Sequence, residues 1–133
     1  MAERKPRILL VDDDPGVLKV YGKRLEVAGY QVIRSVNGEE ALELAKVRQP
    51  DLVILDVMLP KMNGYEACDK LKKGRSTKHI PVLMFTAKER PQEHVAGALF
   101  GADVYVSKSC PTKMLLDQIK LLLFGPPDES SEE

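Results

Sequence analysis

"RILLVDDDPGVLKVYGKRLEVAGYQVIRSV", residues 7–36, is the stretch on which the fold turns. A β-type run from Arg7 to Val11, apolar from Ile8 on, stops at a cluster of carboxylates. A helical pattern follows from Pro15 to Ala28, with Val17, Leu18, Tyr21 and Leu25 on one face. It ends at Gly29, a residue suited to a left-handed cap. A second β-type run, Tyr30 to Val36, completes a strand–helix–strand unit.

The pattern repeats along the chain. "DLVILD" (Asp51 to Asp56), "PVLMFT" (Pro81 to Thr86) and "DVYVS" (Asp103 to Ser107) read as further strands. Between them lie helix-length segments. Asn37 opens the second, with Glu40 three positions on as in a capping box and Ala41, Leu42, Leu44 and Ala45 following. A third runs from Gly64 to Lys73 and stops at Gly74, a fourth from Pro91 to just before Gly101, and a fifth from Pro111 to Phe124, ahead of "GPP". The first, third and fourth strand runs are almost continuously apolar, as strands covered on both faces of a parallel sheet must be. Five β-α units predict an α/β fold, a doubly wound five-stranded parallel sheet in a three-layer sandwich. Right-handed crossovers leave few strand orders, and 2-1-3-4-5, the flavodoxin-like one, is expected here.

In such a sheet ligands bind beyond the carboxyl ends of the strands, where the strand order reverses. The loops after strands one and three carry "DDDP" and "DVMLP", so their acids converge. Like charges about 4 Å apart repel by roughly 4 kcal/mol at an effective dielectric near 20, and the cluster needs a cation or water to relieve it. Asp14 precedes Pro15 and is placed to cap the helix. Asp12 and Asp13 remain and, with Asp56, form a three-carboxylate pocket suited to a hard divalent cation such as Mg²⁺. Thr86 closes the fourth strand with a hydroxyl, and Lys108 follows the fifth with an ammonium. Metal, hydroxyl and lysine around Asp56 could neutralise a phosphoryl group of roughly −1.5 to −2 charge, which makes Asp56 a candidate phosphoryl acceptor.

The chain, from Arg7 to Phe124, resembles the receiver domain of two-component response regulators. The matching pieces are "ILLVDDDP", "NGEEAL", "PDLVILDVMLPKMNGYE", "IPVLMFTA" and "GADVYVSK". The resemblance implies that Asp56 is phosphorylated by a histidine kinase or a histidine phosphotransfer domain. It further implies that Asp13, Asp56 and the Met58 carbonyl bind Mg²⁺, with Asp12 reaching it through water. Lys108 would pair with the acyl phosphate, and Thr86 and Tyr105 would act as switch residues that reshape a surface of the fourth helix, fifth strand and last helix. Pro60 and Gly64 match the loop after the phosphorylation site. That face also offers a homodimer contact, for which the sequence holds no separate support. The chemistry implied is Mg²⁺-dependent self-phosphorylation and autodephosphorylation rather than turnover of a substrate. The output would be a downstream protein or an output domain outside this chain.

Two departures from the family pattern stand out. Proline usually follows the lysine, often through a cis bond, whereas "KSCP" places Ser109 after Lys108 and delays the proline to Pro111. A cis bond before a residue other than proline costs about 2.5–4 kcal/mol, so a trans bond or shifted loop is expected, with phosphoryl chemistry reduced but not abolished. Met58 and Lys88 flank the path of a hydrolytic water, and a thioether cannot orient water as an amide can, which predicts a long-lived phosphoryl state.

Composition bounds the alternatives. At 133 residues the chain suits a single core, residues 1–124 forming the receiver-like domain and the acidic "GPPDESSEE" of residues 125–133 a disordered tail or linker. Twenty basic residues balance twenty acidic ones, which argues against direct nucleic-acid or anionic-membrane binding. No segment reads as a signal peptide or membrane span, and Cys68 and Cys110 lack metal-type spacing, so reduced thiols and a cytoplasmic location are expected. A flavodoxin-like electron carrier would need a phosphate-cradling loop where "DDDPG" stands. An aspartyl-nucleophile phosphohydrolase would want an acid where Met58 stands. A phosphorylation-impaired interaction module on the same fold stays open, supported by the Ser109 departure alone.

Overall fold

The computed structural model describes residues 4–87 and 101–126. Its strands are β1 (Arg7–Val11), β2 (Gln31–Ser35), β3 (Leu52–Leu55), β4 (Val82–Thr86) and β5 (Val104–Ser107). Its helices are α1 (Pro15–Val27), α2 (Gly38–Arg48), α3 (Gly64–Lys73) and α4 (Thr112–Phe124). The helix expected from Pro91, Lys88 and the acidic tail from residue 127 lie outside the described residues. All five strands are parallel, in the order β2-β1-β3-β4-β5, so the predicted order and its reversal beside β1 are both present.

The apolar runs follow from burial on two faces. Leu9 and Val11 of β1 with Val53 and Leu55 of β3 face one way, against Ala41 and Ala45 of α2 and Ala67, Cys68 and Leu71 of α3. Ile8 and Leu10 with Leu52 and Ile54 face the other, against Leu18 and Leu25 of α1 and Leu115 and Ile119 of α4. Period-two alternation thus feeds two cores, and every residue from Ile8 to Val11 is at most 1% exposed.

Helix starts obey local chemistry. Asp14 caps α1, its carboxylate accepting the Gly16 N–H at 2.8 Å, with Pro15 at the first helical position. Gly29, just past α1, has φ +106°, a conformation that favours glycine. Asn37 accepts the Glu40 N–H at 2.8 Å, but Glu40 does not close the expected reciprocal box. Its carboxylate turns to the Val36 N–H (3.2 Å) and the Ser35 hydroxyl (2.8 Å), because Ser35, at the end of β2, competes for it. The complete box is at α3, where Asn63 and Glu66 bond each other's backbone N–H groups.

Gly64 sets the path of the loop after β3. A Cβ there would stand 2.1 Å from the Asp56 carbonyl oxygen, and the Gly64 N–H donates to the Val57 carbonyl at 2.9 Å. The chain must therefore lack a side chain at this point for α3 to start so close beneath Asp56.

Candidate functional site

Parallel pairing continues one residue past β1 and β3 and so delivers two acids to one place. The Asp12 N–H bonds the Ser35 carbonyl at 3.0 Å, and the Asp56 N–H bonds the Val11 carbonyl at 3.1 Å. Both acids are buried, Asp12 at 2% and Asp56 at 5% exposure, whereas Asp13 is exposed. Each buried carboxylate is used in the same way. One oxygen accepts an N–H two residues ahead, Asp14 to Asp12 Oδ1 at 2.9 Å and Met58 to Asp56 Oδ1 at 3.2 Å. The other faces Lys108, whose Nζ lies 2.7 Å from Asp12 Oδ2 and 3.3 Å from Asp56 Oδ2.

Asp12, Asp13 and Asp56 each present a carboxylate oxygen within 4.8 Å of the others. Three carboxylates against one ammonium leave a formal charge of −3 + 1 = −2 when all are ionised. That residue of charge and an all-oxygen donor set fit a hard divalent cation. The electrostatics carry the strain of burial. Desolvation pushes the Asp12 carboxyl above its ordinary range, the Lys108 and Asp14 contacts offset only part of this, and the Asp56 charge adds to it. For Lys108, burial works against the charged form, yet the hydrogen bond to Asp12 and the charges of Asp56 and Asp12 prevail and raise its pKa.

Thr86, Met58 and Tyr105, the other residues expected at the site, have different surroundings. Thr86 is fully buried at the end of β4, beside Ser107 in the ladder, and its carbonyl accepts the Lys108 N–H at 2.8 Å. Met58 meets Asp56 through its N–H, and the residue is 57% exposed. An open groove of about 470 Å³ begins there, lined by Asp13, Met58, Pro60, Asn63 and Tyr65 among others. Tyr105 lies on β5, opposite Met84 of β4 in the ladder. It is half-buried against the α2–α3 core, and its hydroxyl donates to the hydroxyl of Tyr65 on α3. The described residues contain no cis peptide bond, so Lys108 reaches the acid pair through a trans bond to Ser109.

Several features were not anticipated from the sequence. Lys108 pairs more closely with Asp12 than with Asp56, Tyr65 is the partner of Tyr105, and Lys61, at φ +64°, holds a left-handed turn in the loop between Asp56 and α3. A serine two residues before a loop N–H was the one local signal available, since such hydroxyls accept those groups, and Ser107 does so from Ser109. Neither cysteine is in a disulfide, and burial pushes the Cys68 thiol up to about 12, far from a reactive thiolate. Among the described residues no helix is long and apolar enough to cross a membrane.

A doubly wound parallel sheet with carboxylates and a lysine gathered at its switch point defines an α/β domain of the flavodoxin-like class with a cation-ready acidic site. Residues 8–120 match the response regulator receiver domain, and the chain belongs to that family, the receiver domains of two-component response regulators. It is 42% identical over 118 residues to the DNA-binding dual master transcriptional regulator RpaA of Synechocystis sp., a match covering 89% of this chain and 49% of RpaA. The chain thus spans about half the length of the curated relatives it matches. Among solved structures it resembles the chemotaxis protein CheY4 of Vibrio cholerae, with TM-score 0.84, 29% identity and coverage of 90% of this chain and 99% of that one. It also resembles the BeF3-activated N-terminal receiver domain of Klebsiella pneumoniae RstA, with TM-score 0.82, 29% identity and coverage of 89% and 98%.

Proposed function

We propose that Asp56 accepts a phosphoryl group from the phosphohistidine of a histidine kinase or histidine phosphotransfer domain, in a Mg²⁺-dependent reaction. The observation that carries this reading is the meeting of Asp12, Asp13 and Asp56 within 4.8 Å, with Lys108 between the two buried acids. An oxygen of the Asp56 carboxylate attacks phosphorus, the P–N bond to imidazole breaks, and the nitrogen keeps the electron pair and takes a proton. The product is an acyl phosphate on Asp56. Hydrolysis reverses the modification, water attacking phosphorus and the bond to the Asp56 oxygen breaking to release inorganic phosphate.

The side chains divide the work. Asp12, Asp13, Asp56 and the Met58 carbonyl would hold the cation, and a bound Mg²⁺ supplies positive charge to the phosphoryl oxygens. Lys108, already beside Asp56, moves its ammonium from the carboxylate to the acyl phosphate. Thr86 supplies a hydroxyl from the neighbouring strand end, and Tyr105 responds on the adjacent edge strand, β5. Their rearrangement switches a surface read by a downstream protein or by an output domain beyond this segment. The exposed Met58 thioether offers no amide or carboxylate to orient an attacking water, which favours a long phosphoryl lifetime.

Beryllofluoride with Mg²⁺, an acyl-phosphate mimic, tests the reading by NMR. Large shifts of Thr86 and Tyr105 in the wild type, absent in Asp56→Asn, are expected. Unshifted spectra of folded protein point instead to an interaction module that does not use phosphorylation.

A further inference from the structure

Lys108 is flanked by two serines that bond each other. The Ser107 and Ser109 hydroxyl oxygens lie 2.7 Å apart, and the Ser109 N–H donates to Ser107 Oγ at 3.1 Å. The same short turn is closed by the Cys110 N–H to the Ser107 carbonyl at 3.1 Å and anchored by the Lys108 N–H to the Thr86 carbonyl at 2.8 Å. Residues 107 and 109 thus join side chains on one side of the backbone, and residue 108 leaves on the other. Its Nζ ends 2.7 Å from Asp12 and 3.3 Å from Asp56, with the lysine side chain only 20% exposed.

We propose that Ser107 and Ser109 form a hydroxyl clasp that positions Lys108, fixing the direction in which its side chain leaves the backbone and so aiming its ammonium at the acid pair. The proposal deepens the phosphoacceptor reading and rests on it for the kinetic consequence. A flexible four-carbon stem can place its charge in many ways, and the backbone direction at Lys108 is the part a local turn can control. Ser107 is the centre of the clasp because its hydroxyl meets both the N–H and the hydroxyl of Ser109, whereas loss of the Ser109 hydroxyl leaves the N–H contact in place. Neither serine touches reacting atoms, so both are positioning residues.

The clasp has a signature that a merely structural role lacks. Lys108 competes with a metal ion for Asp12 and Asp56, yet it helps phosphoryl transfer. Misaiming it must therefore tighten Mg²⁺ binding while slowing phosphorylation. Loss of general order would weaken both.

The test compares Ser107→Val with Ser107→Thr, two side chains of one shape that differ in the hydroxyl. Mg²⁺ affinity is measured by calorimetry, and the initial rate of Asp56 labelling by acetyl phosphate at saturating Mg²⁺ is followed by intact mass. Ser107→Val is expected to label about three- to tenfold more slowly and to bind Mg²⁺ more tightly by a similar factor, with Ser107→Thr at wild-type values. Ser109→Ala, altered at an exposed site, is expected to show the same opposed shifts at about two- to threefold, and it carries the test if Ser107→Val does not fold. Equal values for Val, Thr and wild type, or a joint weakening in the folded Val variant, overturn the clasp and leave the phosphoacceptor reading intact. A wild type that binds Mg²⁺ but takes no label overturns that reading instead, while the affinity comparison still decides the clasp. A folded wild type that binds no Mg²⁺ and takes no label overturns both.

Discussion

Replacing Lys108 with methionine keeps the length of the stem and removes the ammonium that, among the described residues, pairs with both Asp12 and Asp56. At an effective dielectric near 20, the ammonium attracts Asp12 at 2.7 Å by about 6 kcal/mol and Asp56 at 3.3 Å by about 5 kcal/mol. Burying the ammonium costs several kcal/mol, so the gross attraction shrinks to a net loss of about 3 kcal/mol on truncation, the usual result of stranding a buried charge. For a domain of this size that loss lowers Tm by about 10 °C. Thermal or urea unfolding in EDTA at neutral pH measures it directly.

Two controls follow from the titrations. Asp12 binds protons more readily folded than unfolded, so stability rises as pH falls through the window between those two values, and the deficit of Lys108→Met shrinks there. In the wild type the raised Lys108 pKa gives a contribution that is complete below about pH 10.5 and fades as pH climbs through the folded value. Mg²⁺ should stabilise Lys108→Met more than wild type, since no internal cation has to be displaced. A neutral-pH Tm in EDTA equal to that of wild type, with equal stabilisation of both by Mg²⁺, would refute the idea that Lys108 neutralises this site.

The loop and the tyrosine pair give sharper local expectations. Gly64→Ala forces a Cβ against the Asp56 carbonyl oxygen, a contact of 2.1 Å before relaxation, and should cost about 2–4 kcal/mol in urea unfolding while shifting Asp56 amide resonances. Lys61→Gly relieves a left-handed residue at φ +64° and should raise stability by about 0.5–1 kcal/mol, the gain reduced by the greater freedom of glycine in the unfolded chain. Tyr65→Phe deletes the hydroxyl that accepts from Tyr105 and should cost about 1 kcal/mol, with Tyr105 ring resonances changed in the absence of any phosphoryl mimic. Unchanged Tyr105 spectra would show that this bond does not hold the ring.

The sheet was legible because β1, β3 and β4 are buried on both faces, which leaves little room for polar residues in "RILLV", "DLVILD" and "PVLMFT". The acid cluster was legible because the strand order alone brings the ends of β1 and β3 together. What the chain did not disclose depends on partners distant in sequence. Asp12 and Lys108 are far apart along it, and only the register of four strands shows that the lysine ends nearer Asp12 than Asp56. Glu40 satisfied the spacing of a capping box, yet Ser35 lies beside it in space and takes its carboxylate. The Ser109 departure predicts a trans bond or a shifted loop after Lys108. The turn from Ser107 to Cys110 carries the lysine to the acids through a trans bond, a solution visible only once hydroxyl positions are known.

The decisive measurement is Asp56 labelling by a small-molecule phosphodonor with and without Mg²⁺, followed by intact mass and peptide mapping. One phosphoryl group per chain, found on Asp56, dependent on the metal and absent from Asp56→Asn, is the expected result. Folded protein that binds Mg²⁺ yet stays unlabelled, or is labelled elsewhere, would contradict the assignment of this acidic site as a phosphoacceptor.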